Sequence, residues 1–134
     1  IGRQEEAGVV IEAQVAEHDA HYGLARIHFA GASLWVGDTS APIGQRVRAR
    51  VLARDVSVAR VAPAQTSVVN VLPARLESLH ADRSTALLRL AIGDPQDGCS
   101  PAWLLARITR RSCESLALRP GDHLFAQIKG VALM

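Results

Sequence analysis

Aromatic side chains are scarce in this sequence. Tyr22, Phe29, Trp35, Trp103 and Phe125 make up the whole set, 4% of 134 residues, so a core has to be built from Val, Leu, Ile and Ala. The same scarcity argues against a platform for single-stranded nucleic acid, which stacks bases on aromatic rings. A strong charge of one sign is missing too. The net charge is +2, with acids and bases interspersed, which gives no broad field for nucleic acid or an anionic membrane. No apolar run approaches the roughly 20 residues that a membrane-crossing helix needs. Cysteine occurs twice, at Cys99 and Cys113. One pair is no disulfide framework, and its spacing fits no zinc pattern, so free thiols in a reducing compartment are expected. Catalytic signatures are absent as well: there is no Gly-x-x-x-x-Gly-Lys loop, no nucleophile elbow and no His-Glu-x-x-His. The segment is therefore expected not to be an enzyme. The start of the sequence reads as lacking a signal peptide, and Ile1-Gly2-Arg3-Gln4-Glu5-Glu6 is expected to be a cut through a longer chain.

What the sequence does contain is short alternating runs bounded by Gly, Pro, Asp or Ser. They are VVIEAQV (9–15), GLARIHF (23–29), ASLWV (32–36) and RVRARVLA (46–53), then VLPARLESL (71–79), ALLRLAI (86–92), AWLLARI (102–108) and HLFAQIKGVAL (123–133). Period-2 alternation between turn residues predicts strands. The two sets of four follow the same order. Gly44-Gln45-Arg46-Val47-Arg48-Ala49-Arg50-Val51 parallels Gly121-Asp122-His123-Leu124-Phe125-Ala126-Gln127-Ile128, with aliphatic, Ala and aliphatic at matching positions. An internal duplication of this size predicts two small β-barrels. The division falls near Pro63-Ala64-Gln65, giving a first, degenerate barrel over 1–62 and a second over 63–134. The halves differ in ITRRSCESLALRPGD (108–122), which predicts a helix of at most two turns stopped by Pro120-Gly121. The corresponding VGDTSAPIGQ (36–45) has no room for one.

Three polar clusters stand out. Thr66, Ser67 and Asn70 precede a strand; they either satisfy a turn's own backbone or present donors to an anion. Thr109 and Ser112 flank Arg110 and Arg111 at the helix start. They either cap the helix, Thr109 as N-cap and Ser112 as N3, or help hold something negative. Lys129 ends a strand beside Gly130, where the missing side chain lets a backbone N–H approach a ligand. Arg46, Arg48, Arg50 and Arg54 read as a solvated face. His18 and His21, with Glu17 and Asp19, fit no metal spacing and read as a polar hairpin loop.

Taken in order, TSVVNVLPARL (66–76), ITRRSCESL (108–116) and GDHLFAQIK (121–129) resemble the Mop domain. That family's pattern runs Thr-Ser-x-x-Asn-x-Leu, Ile-Thr-x-x-Ser-x-x-x-Leu and Gly-Asp-x-aliphatic-x-Ala-x-Ile-Lys. RVRARVLARDVSVAR (46–60) is similar to the TOBE-type accessory barrel of import ATPases. The whole resembles the C-terminal regulatory region of a molybdate-import ABC ATP-binding subunit. The resemblance implies an all-β fold of two tandem OB-like barrels, with a short helix in the second. It implies molybdate or tungstate as the ligand. Thr66, Ser67, Asn70, Thr109, Ser112, Lys129 and Gly130 would form the oxyanion site, with Thr109 and Ser112 coming from a neighbouring barrel and Asn70 bracing its turn. Many Mop domains have a basic or polar residue just before the Asn; here the pair is Val68-Val69. The implied partners are a second copy, forming a homodimer through the barrels, an ATPase domain ahead of Ile1 and, through it, a membrane permease. Neither nucleic acid nor direct membrane insertion is implied. The implied location is cytoplasmic, peripheral to the inner membrane. The alternative is a structural dimerisation module that binds no anion.

Overall fold

A computed structural model describes residues 7–93 and 100–134; Cys99 and the Ile1–Glu6 terminus lie outside them. The first four strands are β1 (Gly8–Asp19), β2 (Leu24–Phe29), β3 (Ala32–Gly37) and β4 (Arg46–Leu52). A 3-10 turn, Ala53–Asp55, leads to β5 (Val56–Ala59). Then come β6 (Asn70–Ala81), β7 (Thr85–Ile92), β8 (Ala102–Thr109), helix α1 (Arg110–Ser115), β9 (His123–Ile128) and β10 (Ala132–Leu133). Two five-stranded sheets result, in the orders β10-β4-β1-β2-β3 and β5-β9-β6-β7-β8. The edge strands of each sheet approach one another, β10 near β3 and β5 near β8, so both sheets curl towards closure. This is the all-β pair of OB-like barrels that the sequence predicts.

The duplication is visible strand by strand. β4-β1-β2-β3 and β9-β6-β7-β8 have the same order. β1 is bulged between Val15 and Glu17 against β2, and β6 between Leu76 and Ser78 against β7. Such a bulge adds one residue to one strand and sharpens its bend, which lets a 12-residue strand serve both sides of a small barrel. The fifth strands are exchanged. β5 precedes the expected 62/63 division, yet it pairs with β9 in the second sheet. β10, at the other end of the chain, pairs with β4 in the first.

Alternation does the packing. Ala25, Ile27 and Phe29 of β2 and Ala86, Leu88, Leu90 and Ile92 of β7 are buried. Phe29 is the one buried aromatic among the described residues, so aliphatic side chains fill the interior. Each buried Leu, Ile or Val stabilises by about 1.5–3 kcal/mol relative to exposure. The core joins both sheets in one cluster.

The helix departs from expectation at its end. It stops at Ser115, before Pro120-Gly121. The Leu118 N–H bonds to the Cys113 carbonyl at 3.2 Å and the Ala117 N–H to the Glu114 carbonyl at 3.0 Å. Those two bonds form a Schellman stop, with Ala117 in the left-handed region at φ 51. HLFAQIKGVAL is also two strands, not one, broken at Lys129-Gly130-Val131.

Candidate functional site

The sheets meet where each passes its last strand to the other. The β9–β10 connection crosses the Ala53–Asp55 turn, and the Lys129 N–H donates to the Asp55 carbonyl at 2.8 Å. Gly130 packs so closely that a Cβ there would lie 3.1 Å from Asp55 Oδ2. Beside this crossing opens a cavity of about 370 Å3, lined by Leu24, Trp35, Val36 and Gly37 of the first sheet, by residues 67–70, and by residues 128–131.

Four of the residues singled out from sequence face this cavity: Ser67, Asn70, Lys129 and Gly130. Asn70 is the one buried polar residue among those described. Its Oδ1 accepts the Trp35 N–H and its Nδ2 donates to the Trp35 carbonyl, both at 2.8 Å. Its amide is therefore a clasp between β6 and β3, wider in reach than the local turn brace expected. Lys129 is exposed, and no carboxylate lies within 4.0 Å of its ammonium among the described residues. The Gly130 N–H and the Ser67 hydroxyl have no protein partner among the described residues. One cation, one open amide and one open hydroxyl thus border a cavity whose other walls are largely apolar.

The remaining three candidates lie apart from it. Thr66 Oγ1 accepts the Val68 N–H at 3.1 Å, closing a local turn. Thr109 and Ser112 do not line the cavity. Thr109 Oγ1 accepts the Ser112 N–H at 3.0 Å and donates to Ser112 Oγ at 2.9 Å, the N-cap geometry that the spacing allowed. Of the two first-turn arginines, Arg110 pairs with Glu114 at 3.0 Å. His18 bonds through Nε2 to the Ala41 carbonyl at 2.9 Å.

The wall residues Leu24, Trp35, Val36 and Gly37 escape sequence reasoning. They come from the other half of the chain, and no local pattern marks them. Ahead of the Ser67 turn, the chain is tied to the second repeat at Arg60. Arg60 donates to the Leu116 and Ala117 carbonyls and pairs with Asp122 at 2.9 Å. The Asp122 carboxyl is held below its ordinary value, first by the Arg119 N–H that donates to it and then by Arg60.

A larger cavity of about 520 Å3 lies between the β2–β3 turn and the outer face of β6 and β9. Its walls are mainly Ala, Pro, Ile, Leu and Phe. Its arginine, Arg75, is already paired with Glu77. Besides Arg75, His123 is the other ionisable residue of its wall.

A family model described as the TOBE domain matches residues 66–134. The chain belongs to the TOBE domain family. The TOBE match covers the second repeat, from the Ser67 turn through Lys129. Among curated relatives, the molybdenum import ATP-binding protein ModC of Aromatoleum aromaticum is 50% identical over 131 residues, which is 97% of this chain and 33% of that protein. ModC 1 of Azotobacter vinelandii is 49% identical over 133 residues, 97% of this chain and 35% of that protein. The TOBE chain therefore spans about a third of the length of these relatives. Among solved structures, the cytoplasmic molybdate-binding protein ModG, crystallised with molybdate bound, superposes with a TM-score of 0.74 over 95% of both chains at 22% identity. At that identity the likeness is one of fold.

Proposed function

We propose that this TOBE domain is a regulatory oxyanion-binding module of a molybdate-import ATP-binding protein, taking molybdate or tungstate beside Lys129. The observation that carries this reading is the grouping of Lys129, the open Gly130 N–H and the Ser67 hydroxyl around one cavity at the junction of the barrels. A tetrahedral dianion accepts hydrogen bonds at every oxygen, so neutral donors and one cation suit it. Each such bond contributes roughly 1.5–3 kcal/mol, less the costs of ordering and desolvation. The names of the ModC relatives and of ModG support the choice of anion. On this reading the domain works in the cytoplasm, joined to an ATPase domain and through it to a permease at the inner membrane, and a second copy associates through the barrels. On this reading Thr109 and Ser112 act from the barrel of a second copy, as the family resemblance implies. An anion bound where the two sheets cross shifts the transporter only by its difference in affinity between two states.

Calorimetry with molybdate, tungstate and sulfate tests the reading. Heat with the first two, lost in Lys129→Ala, is expected; no heat with any of them at low salt refutes it. One observation favours a second reading, a dimerisation module that binds no anion: the Thr109 and Ser112 hydroxyls are engaged with each other and with the helix backbone. On that reading Ser67→Ala changes nothing in an assembly that never takes up anion. On the first, it weakens uptake while the assembly stays intact.

A further inference from the structure

The duplication places a second position equivalent to the Lys129 pocket, and the strand registers identify it residue by residue. The two bulges align Val15 with Leu76, and Arg26 with Arg89 across the neighbouring strand. Gln14 opposes Arg46 where Arg75 opposes His123. Counting along these strands sets Val9 at the place of Asn70, Leu52 at Lys129 and Ala53 at Gly130. The ladders agree, since Val9 opposes Val51 as Asn70 opposes Ile128. On the next strand Trp35 opposes Arg26 and Leu105 opposes Arg89, so Leu105 takes the place of Trp35.

Three elements that equip the first pocket, the cation, the clasp and the open amide, are missing from the second. Leu52 replaces the cation. Val9 cannot clasp the backbone of Leu105 as Asn70 clasps Trp35. The Ala53 N–H, equivalent to the open Gly130 amide, already donates to the Ala7 carbonyl at 2.7 Å. Ala53 is 1% exposed, and its turn packs against β8 of the opposite sheet. At this place Ala53 is buried and Val9 and Leu52 are half-buried.

We infer that the fold holds two pocket positions related by its internal repeat, and that only the one at Lys129–Gly130 takes an oxyanion, one per chain, the other being closed by Val9, Leu52 and Ala53. The inference rests on the functional reading above, and its test separates the two. Equilibrium dialysis of the chain against tungstate at low salt, with tungsten and protein both measured, gives the bound ratio. The expected ratio at saturation is one tungsten per chain, falling to none in Lys129→Ala, a substitution at an exposed position whose folding is checked by circular dichroism. A ratio of two, or one tungsten retained in Lys129→Ala, overturns the inference while leaving oxyanion binding in place. A ratio of zero in the unaltered chain removes the functional reading and this inference with it.

Discussion

Asn70 shows how one side chain can hold two barrels in register. Both ends of its amide bond to the Trp35 backbone at 2.8 Å, in a place with little access to water. Asn70→Ala leaves a buried N–H and a carbonyl without partners, so urea unfolding should show a loss of about 2–3 kcal/mol. Asp55 acts in the opposite sense on the pocket. Its carboxylate lies against Gly130, where, on the proposed reading, it would repel an incoming dianion. Asp55→Asn should therefore tighten tungstate binding several-fold in calorimetry; weaker binding would mean that the carboxylate holds the crossing in shape. Asp122 carries a pH dependence. Its pKa is lowered in the fold, by the Arg119 N–H first, so its contribution is complete above the unfolded value of about 3.9 and fades as pH falls through the lower folded value. In Asp122→Asn, the decline in stability on acidification from about pH 5 should be shallower, as followed by thermal melts.

Among the elements, α1 gives a clean test of local chemistry. Thr109→Ala removes the N-cap and should cost about 1 kcal/mol. At the other end Ala117 occupies the left-handed region at φ 51, which strains any residue with a Cβ. Ala117→Gly should raise stability by about 0.5–1 kcal/mol, measured by the shift in urea midpoint. The start of this helix was legible in Thr-x-x-Ser, because a cap is a local device. Its end was not: Pro120-Gly121 is the stronger textual signal, whereas the Schellman stop falls at Ala117, a residue that does not mark a left-handed position, and Arg60 from a distant segment also bonds the Leu116 and Ala117 carbonyls. The long strands could be read from alternation. β5 has only four residues, too few to show a period, and its place is set by β9. The pocket was half legible in the same way. Ser67, Asn70, Lys129 and Gly130 belong to motifs of one repeat, whereas the wall from Leu24 to Gly37 exists only once the two sheets have met.

For the whole molecule, exchange of the fifth strands makes each sheet depend on the other. Trp35 lies in the first sheet and Trp103 in the second, where Arg89 sits 3.8 Å over its ring. In each of two variants that keep one tryptophan, fluorescence and far-ultraviolet circular dichroism should give the same urea midpoint, because neither barrel completes its sheet alone. Separate midpoints would show that the exchanged strands add little. The arrangement also bears on what happens if the backbone is broken. A protease nick in the exposed stretch around Ala62 and Ala64 severs the covalent path between the repeats, yet each fragment still has a strand stitched into the other's sheet. The pieces should stay interlocked through gel filtration and come apart only in denaturant, so the molecule would tolerate a cut at the very place where its sequence repeat divides.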